Sequence, residues 1–337
     1  MYTFIKNKLF IWPVLLILLI TTGYNSLEAA NSFSLKPIRP PGLSRIARFL
    51  GRAQRSLVLD RIDALISATG FYDLIAAANM PKVTVIAPVI NKRQKEKDDT
   101  VAIKALSINM LLFPVPFFFN QAQRIAAFAR SARQLDPDII FLQEVWDNNS
   151  LALLIAAFPG YYSIYTAGIG YNYSGLLILS RFPAKKASAK RFAVSLKHNV
   201  EELIAQKGFI LVETTIRGQP FYLLNTHLYS ADRSKLYRPN LVQFSRVADI
   251  VENLPAAAII GGDMNLIPAD LEARIPDDIV RDNCDLSTAG YPKPTQKLDY
   301  IMVRPHHGKT ATVNSRRIDA PLRFSDHTPI YAEIYFR

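Results

Sequence analysis

The sequence predicts an α/β fold, and three observations lead to this prediction. Half of the residues (50%) are hydrophobic and 20% are charged, which provides enough apolar surface for at least one large core. From Val101 onward, short apolar runs alternate with segments of helical periodicity, as is typical of α/β proteins. No internal repeat is present in the sequence. The length of 337 residues fits two domains, or one large α/β domain with an extension.

The order of elements follows from the alternation of these segments. The predicted strands are dense in apolar residues: VAIKALSINM, DIIFLQEV, SGLLILSRF, FILVETTI, PFYLLNTHL, AAAIIGGDMN, KLDYIMVR and HTPIYAEIYF. The predicted helices have apolar residues at three- and four-residue spacing: Asn120–Leu135, Leu151–Phe158 and Leu241–Leu254. FILVETTI and PFYLLNTHL are expected to pair as neighbouring strands because only Arg217–Gln219 separates them.

Residues 1–30 have the layout of a secretory signal peptide. Lys6 and Lys8 precede an apolar run over Leu9–Ile20, and the small residues Ala29 and Ala30 offer a cleavage site. The run has 12 residues, fewer than the ~20 that span a bilayer, so an uncleaved membrane anchor is the weaker alternative. We therefore expect a secreted or periplasmic protein.

Residues 31–100 are predicted to form a basic, partly helical extension and linker before the main domain at 101–337. Within Leu43–Leu59, four arginines share one helix face: Arg45, Arg48, Arg52 and Arg55. Such a helix lies on an anionic membrane or docks on phosphates, or else it is a surface helix with solvated arginines, and both alternatives are open. The charge-dense segment NKRQKEKDDT at 91–100 marks the predicted boundary.

The net charge of +12 favours anionic partners, which include nucleic acid, an acidic membrane surface and phosphorylated substrates. The charge does not choose among them. Cys284 is the only cysteine, which excludes an intramolecular disulfide framework and a thiolate metal cluster.

Polar residues recur at the ends of the predicted strands. All carry oxygen or imidazole donors: Asn109, Glu144, His227, Asp263, Asn265, Asp299, Asp326 and His327. Ligand sites in α/β sheets collect outside strand ends. Although a single Asp or Asn beside a strand is usually a turn former, the whole set beside such apolar strands indicates a functional site.

These residue types suit the hydrolysis of a phosphodiester. Glu144 can hold Mg²⁺, which would neutralise charge on the phosphate oxygens. Asp263 could orient or deprotonate the attacking water, while histidines such as His227 and His327 could donate hydrogen bonds or protonate the leaving group. The sequence contains no GxxxxGK[ST], HExxH or GxSxG motif, which argues against a nucleotide triphosphatase, a zinc protease and an α/β-hydrolase.

At these residues the chain resembles the endonuclease/exonuclease/phosphatase superfamily, which includes DNase-like nucleases, inositol polyphosphate phosphatases and neutral sphingomyelinases. The matching motifs occur in the family's order: SINM, LQEVW, YSGLLILSRFP, NTHL, GGDMN, LDYIMV and SDHTPI. The resemblance implies a two-sheet α/β sandwich flanked by helices. It also implies a site along one edge that depends on Mg²⁺, with Mn²⁺ and Co²⁺ as alternatives.

The resemblance assigns the metal and the nucleophilic water to four residues. Glu144 corresponds to the metal-binding glutamate, with Asn109 beside it in the metal site. Asp263 resembles the aspartate that activates the water. Asp326 resembles an acid that assists the metal or the water.

The remaining assignments concern the phosphate. His327 corresponds to the essential histidine of the terminal SDH motif, with Asp299 as the carboxylate that orients it. His227 is similar to the histidine that stabilises the pentacovalent phosphate. Asn265 and Tyr173 correspond to residues that contact phosphate in family members.

Three features favour a phospholipid substrate. Leu111 stands where abasic-site nucleases typically have an aspartate, and NMLLFP followed by Arg124 resembles the opening of bacterial and neutral sphingomyelinases. KGFILVETTI before NTHL, then Arg238 with Gln243, resembles a later part of those enzymes. We therefore expect an exported phosphodiesterase that cleaves sphingomyelin to phosphocholine and ceramide. The alternatives are a Mg²⁺-dependent nuclease on DNA or RNA, a phosphoinositide phosphatase, and a catalytically dead lipid-binding module.

The run Leu111–Phe119 (LLFPVPFFF) bears on membrane contact. If it is exposed, its phenylalanines would form an interfacial wedge for a peripheral membrane contact, supplemented by the arginine helix. The alternative is that the run packs in the core, as large apolar runs usually do. We expect the protein to be a monomer.

Overall fold

The computed structural model describes residues 82–89, 102–113, 120–167, 172–193, 202, 205–230, 238–290, 294–319 and 324–337. Met80–Phe192 and Lys207–Arg337 together form one compact unit, which contains every strand of the described chain. The predicted signal peptide, the arginine helix and the charged segment at 91–100 lie outside the described residues.

Seven strands form the first sheet, in the order β1-β4-β5-β3-β2-β13-β12. Their bounds are β1 Lys82–Ile86, β2 Ile103–Leu112, β3 Ile139–Val145, β4 Tyr162–Ala167, β5 Asn172–Ser180, β12 Ala311–Arg317 and β13 Ile330–Phe336. β2 and β3 are parallel, and the other neighbours are antiparallel. The parallel pair brings the carboxyl ends of β2 and β3 together at the middle of the sheet.

Six strands form the second sheet, in the order β10-β11-β9-β8-β7-β6. Their bounds are β6 Ala184–Arg191, β7 Gly208–Ile216, β8 Gln219–His227, β9 Ala257–Asp263, β10 Val280–Arg281 and β11 Asp299–Arg304. Here β8 and β9 are the parallel pair, and the remaining neighbours are antiparallel. Each sheet therefore has one central pair of parallel strands.

The described residues of this unit include four helices: α1 Gln121–Leu135, α2 Asn148–Ala157, α3 Pro239–Glu252 and the short α4 Pro268–Glu272. The main core lies between the sheets and includes Phe141, Leu223 and Ile259. A second apolar cluster joins the outer face of the first sheet to α1 and α2, and a third joins the outer face of the second sheet to α3. The predicted two-sheet sandwich flanked by helices is confirmed.

The strands that the sequence did not predict are β4 and the edge strands β1, β6, β10 and β12. Edge strands pair on one side only, and their sequences are polar or very short, such as AKKASAKR in β6 and ATVNSRR in β12. These segments lack the dense apolar character of central strands, which is the signal that the sequence analysis used.

The first sheet begins before the predicted domain boundary. β1 pairs with β4 from Lys82 to Ile86, opposite Ala167 to Ser163. The charged segment at 91–100 therefore does not delimit this sheet, because KVTVI on its N-terminal side adds a strand to it. The short run is a weak strand signal beside so many charges, so the sequence placed it in the extension.

The two sheets approach closely at Gly261 of β9. A Cβ at this position would lie 2.2 Å from Cδ2 of Phe141, which belongs to β3 on the opposite sheet. Only glycine leaves room for the phenylalanine ring there. Gly261 lies two residues before Asp263, the last residue of β9, and so the contact sets the spacing of the sheets close to that end of β9.

We expect Gly261→Ala to lower the free energy of unfolding by about 1–3 kcal/mol, because the added methyl group overpacks the core. Denaturant titration of the purified variant measures this. The double variant Gly261→Ala with Phe141→Leu is the control and should regain part of the loss, since the two side chains compete for one space. Additive losses would contradict the proposed contact.

Among the residues that the structure describes, no helix has the length and apolar content of a membrane span.

Candidate active site

The candidate active site lies where the carboxyl ends of the two parallel strand pairs face each other. On the second sheet, His227 pairs with Asp263, and Asp263 pairs with Asp299. These three side chains therefore form one row across β8, β9 and β11. The first sheet contributes Asn109 from β2 and Glu144 from β3. Four of these residues were predicted at strand ends and Asp299 inside the strand KLDYIMVR; the structure begins β11 at Asp299, and the fold brings all five together.

A buried hydrogen bond joins the sheets just behind this row. Gln143 Nε2 donates to Asn225 Oδ1 at 2.8 Å, and Asn225 Nδ2 donates in turn to the backbone oxygens of Leu142 and Leu177. Asn225 belongs to the NTHL motif, but the sequence analysis gave it no role. Its contacts indicate that it fixes the distance between the two halves of the site.

Asn109 aligns the two carboxylates of the site. Its Nδ2 donates to Glu144 Oε1 at 2.8 Å and to Asp263 Oδ2 at 3.1 Å, while its Oδ1 accepts from the backbone N–H of Leu111 at 3.1 Å. The side chain is buried. In this arrangement Asn109 orients the acids as a donor, and its predicted role as a metal ligand stays a prediction.

Two site residues adopt left-handed backbone conformations. Glu144 has φ 54° and Asn265 has φ 47°. Asparagine tolerates this region, whereas glutamate does so rarely, and such strain is concentrated at functional sites. The position of the Glu144 side chain therefore depends on a backbone conformation that the surrounding fold must maintain.

The partly buried His327 and the fully buried Asp299 form a hydrogen-bonded pair. The distance from His327 Nδ1 to Asp299 Oδ2 is 2.8 Å, and His327 Nε2 lies 3.8 Å from Asp263 Oδ2. Burial by itself lowers the pKa of His327, but the charges of Asp299 and Asp263 outweigh it and raise the pKa to about 10. At neutral pH His327 is therefore an imidazolium that donates from Nδ1 to Asp299.

His227 has the opposite protonation. Burial lowers its pKa well below 6.5, and the positive charges of Lys207 and His327 lower it further. Its Nε2 lies 3.5 Å from Asp263 Oδ2 and 4.0 Å from Glu144 Oε1. Both distances are longer than the 2.8 Å between His327 Nδ1 and Asp299 Oδ2. In the described structure its buried Nδ1 has no hydrogen-bond partner. The site thus combines a neutral and a charged imidazole.

Burial raises the pKa of both carboxyl groups that flank Asn109. For Asp263 the pKa rises to about 7, with the charge of His327 opposing the effect of burial. The pKa of Glu144 also rises by burial, opposed by its hydrogen bond to Asn109. A group with a pKa near neutrality is suited to accept a proton from water, which makes Asp263 the candidate general base.

The donors in the cluster fit a hard divalent cation. Glu144 and Asp263 offer carboxylate oxygens, which Mg²⁺ prefers, and a bound cation would offset the cost of burying them ionised. One ligand atom each from Asp263, Asp299 and His327 also lie within 4.8 Å of one another. That set fits less well, because the Nδ1 of a charged His327 is committed to Asp299. The Glu144 side of the cluster is the better candidate.

Asn265 and Asp326 lie beside the cluster. Asp263 Oδ1 accepts from the backbone N–H of Asn265 at 3.0 Å, and Asn265 Nδ2 donates to the backbone oxygen of Leu228 at 3.0 Å. Asp326 precedes His327, and its Oδ1 accepts from Ser325 Oγ at 3.0 Å. The negative charge of Asp326 also acts on His327 and Glu144. Their predicted roles toward phosphate, metal and water stay predictions.

Tyr173 lies at the same end of the sandwich, at the start of β5. Its ring packs against the guanidinium of Arg191, with 4.9 Å between Arg191 Cζ and the ring centroid. Arg191 ends β6 and pairs with Gly208 at the start of β7. Contact of Tyr173 with a substrate phosphate stays a prediction.

Lys207 and Arg124 support the site, although no role was predicted for them beyond the resemblance. The buried Lys207 donates from Nζ to the backbone oxygen of Leu228 at 3.1 Å, the same oxygen that Asn265 contacts. Arg124 donates from Nε to the backbone oxygen of Phe324 at 2.6 Å and from Nη2 to that of Leu111 at 3.1 Å. Arg124 thereby ties the end of β2 to the segment that carries the SDH motif.

The described start of the Leu111–Phe119 run contributes to packing. Leu112 is fully buried, and the ring of Phe113 meets that of Trp146 with 6.0 Å between centroids. Residues 114–119 lie outside the described part of the chain, so the predicted membrane wedge stays a prediction. Arg238 and Gln243 hold local structure: Arg238 pairs with Asp270, and Gln243 Oε1 accepts from the backbone N–H of Tyr229.

Comparison with protein families gives one match over most of the chain. The model of the Endonuclease/Exonuclease/phosphatase family matches residues 106–327. Among curated proteins, the chain is 31% identical over 177 residues to the 5'-tyrosyl-DNA phosphodiesterase of Caenorhabditis briggsae, covering 50% of this chain and 47% of that protein. The chain spans about half the length of the curated relatives it matches.

Two solved structures illustrate the range of similar folds. TDP2 from C. elegans is 25% identical, with a TM-score of 0.51 over 69% of this chain and 75% of that chain. Sphingomyelinase C from Streptomyces griseocarneus is 19% identical, with a TM-score of 0.53 over 69% of this chain and 99% of that chain. At that identity the second similarity supports the fold and nothing finer.

Proposed function

Because the chain belongs to the endonuclease/exonuclease/phosphatase family, we propose that it is a metal-dependent phosphodiesterase whose substrate is a nucleic-acid phosphodiester, in particular one at a DNA 5′ end. The observation that carries this proposal is the environment of Asp263 Oδ2. It lies 3.1 Å from Asn109 Nδ2, 3.5 Å from His227 Nε2 and 3.8 Å from His327 Nε2. A general base, a neutral imidazole and an imidazolium therefore meet within the space of one phosphate group.

In this proposal the side chains divide the work by their protonation. Asp263, held in place by the Asn109 amide, accepts a proton from the attacking water. The water oxygen bonds to phosphorus as the P–O bond to the leaving group breaks, and the leaving oxygen takes up a proton from solvent. The charged His327 donates from Nε2 to an oxygen of the phosphoryl group, and Asp299 stabilises its charge. The neutral His227 adds a second donor or acceptor on the opposite side. A divalent cation bound at Glu144 would neutralise negative charge that develops on the phosphate.

The choice of nucleic acid over lipid rests on the relatives. The curated relative named 5'-tyrosyl-DNA phosphodiesterase matches at 31% identity over 177 residues. Among solved structures, TDP2 from C. elegans matches at 25% identity and the sphingomyelinase at 19%. The net charge of +12 supports a polyanionic substrate. The sequence expectation of sphingomyelin hydrolysis therefore becomes the second candidate, supported by the motif around KGFILVETTI and by the predicted export signal.

A substrate panel separates these candidates. Purified protein with Mg²⁺, and with EDTA as the metal-free arm, is incubated with a 5′-tyrosyl DNA oligonucleotide, plasmid DNA, sphingomyelin liposomes and inositol phosphates. We expect cleavage of the DNA-linked phosphodiester with Mg²⁺ and none with EDTA. Release of phosphocholine from liposomes with intact DNA would overturn the nucleic-acid proposal and restore the sphingomyelinase expectation. No turnover in any arm would support the dead-enzyme alternative.

The pKa values predict a bell-shaped pH profile of kcat/KM. Activity should rise through about pH 7 as Asp263 loses its proton, and fall through about pH 10 as His327 loses its own. A bound cation favours ionised carboxyl groups, so it moves the acid limb to lower pH.

Asp299→Asn tests this profile. Because the charge of Asp299 raises the pKa of His327, its removal should move the alkaline limb to lower pH. Asp319→Asn, at an exposed carboxyl group paired with Arg317, is the matched control and should leave both limbs in place. An alkaline limb that does not move in Asp299→Asn would show that another group causes it.

We further propose, from the N-terminal sequence, that the protein is exported. We also propose that it acts as a monomer. N-terminal sequencing of the protein recovered from cell fractions tests cleavage near Ala29 and Ala30. An unprocessed N-terminus in the membrane fraction would favour the anchor instead. Light scattering of the purified protein tests the monomer proposal.

A further inference from the structure

We propose that Thr288 is a positioning residue that holds Asp299 and His327 at hydrogen-bonding distance. The proposal rests on the proposed function, in which this pair acts on the phosphate. Thr288 carries no charge, and no role was predicted for it. Three kinds of contact assign it this task.

The first contact is between the Thr288 hydroxyl and the start of β11. Oγ1 accepts from the backbone N–H of Leu298 at 3.1 Å and from that of Asp299 at 3.2 Å. Thr288 is fully buried, so water does not replace these bonds. One oxygen therefore fixes the backbone from which the Asp299 side chain projects.

The second contact is between the Thr288 backbone and the segment that carries His327. The backbone N–H of Thr328 donates to the Thr288 oxygen at 2.7 Å, and Ala289 forms an isolated antiparallel bridge with His327. Gly290 extends the contact, since its N–H donates to the backbone oxygen of Asp326 at 3.1 Å. Residues 288–290, which we call the strap, thus run antiparallel to residues 326–328, and each strap residue contacts one of them.

The third contact anchors the strap itself. The backbone N–H of Thr288 donates to the backbone oxygen of Gln296 at 2.7 Å. Ala289 forms an isolated antiparallel bridge with the same residue. Because Gln296 lies three positions before Asp299, the strap and the start of β11 form one hydrogen-bonded piece.

This link matters because Asp299 and His327 come from different sheets. Asp299 begins β11 of the second sheet, whereas His327 lies just before β13 of the first sheet. The hydrogen bonds of each sheet fix residues within that sheet and do not set a distance across the sandwich. Thr288 contacts both sides, with its side chain toward Asp299 and its backbone toward Thr328. A displacement of about 1 Å at a catalytic group can cost 100-fold in rate.

The test compares Thr288→Val, which fills the same space without the hydroxyl, with Thr288→Ser, which keeps the hydroxyl. Thr288→Ala removes the hydroxyl without adding bulk and serves if the valine variant folds poorly. Thr214→Val is the matched control: Thr214 is equally buried, and its hydroxyl donates to the backbone oxygen of Pro183 at 2.8 Å, on a strand of the second sheet away from the strap. Each variant is assayed with bis(p-nitrophenyl) phosphate, and the imidazole N–H proton of His327 is followed by NMR without substrate.

We expect Thr288→Val to lower kcat about 10- to 100-fold with KM within about twofold, and to shift or broaden the downfield His327 proton. Thr288→Ser should restore both, and Thr214→Val should lose stability while keeping both. If Thr288→Val keeps kcat and the proton signal, or if Thr214→Val loses them equally, the hydroxyl serves only folding. Because the NMR signal needs no substrate, an inactive wild-type protein would overturn the proposed function and leave the positioning test intact.

Discussion

Replacement of His327 by glutamine is expected to lower kcat by about 10²–10⁴-fold on the preferred substrate. Glutamine can still hydrogen-bond to Asp299, but it cannot carry the positive charge that the Asp299 and Asp263 carboxylates maintain on His327. The loss should therefore fall on the chemical step. Single-turnover kinetics at saturating enzyme measure that step directly, and a binding assay on the same substrate should show little change in affinity.

His306→Gln is the matched control for this experiment. His306 is exposed and contacts only the neighbouring His307 in the bonds described for its ring, so its replacement should leave kcat unchanged. The melting temperature of both variants must lie close to that of the wild type for the comparison to hold. Equal activity of His327→Gln and the wild type would show that His327 takes no part in the chemical step. It would also contradict the proposed roles of the other site residues.

Replacement of Glu144 by glutamine is expected to lower activity at least about 100-fold at low millimolar Mg²⁺, with partial recovery at higher concentration. Glutamine keeps the shape and the acceptor for Asn109 but removes the charge that would hold the cation. The stabilisation of a transition state by a bound metal is worth several kcal/mol, and 1.36 kcal/mol corresponds to a tenfold change in rate.

Thermal melting provides a readout that does not need a substrate. A ligand that binds only the folded state raises the melting temperature. At a free concentration of 100 times its Kd it adds about 2.7 kcal/mol to the free energy of unfolding. Mg²⁺ should therefore stabilise the wild type and stabilise Glu144→Gln much less. Without metal, the variant should melt no lower than the wild type, because burial makes the charged form of Glu144 costly.

Glu213→Gln, on β7 outside the cluster, is the control and should keep the full response to Mg²⁺. If Mg²⁺ raised the melting temperature of Glu144→Gln as much as that of the wild type, the metal would bind at other residues of the site.

These two substitutions probe opposite halves of the cluster. Glu144 belongs to β3 and reaches Asp263 of the second sheet through Asn109, whereas His327 lies before β13 and its Nε2 is 3.8 Å from Asp263. Loss of metal response in one variant and loss of chemistry in the other would support separate roles for the two residues within one site. Loss of both properties in each variant would instead indicate that the cluster collapses when any member changes.

Much of the site could be predicted because its residues belong to local motifs. Glu144, His227 and Asp263 each end a very apolar strand, and such strands are buried on both faces in the centre of a sheet. The positions of these strands could thus be predicted from their apolar composition. The polar residues at their ends were recognisable because the strands themselves are so apolar. The edge strands could not be predicted in this way, since their polar sequences resemble those of loops.

Residues that act through their neighbours left a weaker signal. Asn225 and Lys207 lie in segments that carry the family resemblance, but nothing in the sequence distinguishes their roles, and Thr288 lies in no motif. Their importance comes from contacts with segments 10 to 83 residues away, such as the bonds from Asn225 to Leu142 and from Leu298 to Thr288. Such contacts depend on which strands become neighbours.

The chemistry of the site could be predicted before folding was considered: the donor types, their order along the chain and the strands that carry them. The α/β class could be predicted as well, because apolar periodicity is a local property of the chain. The tertiary structure decided which donors touch, which imidazole is charged and which is neutral, and which carboxyl group has a pKa near neutrality. Protonation depends on burial and on charges a few ångströms away, and those distances exist only once both sheets have packed around Phe141 and Gly261.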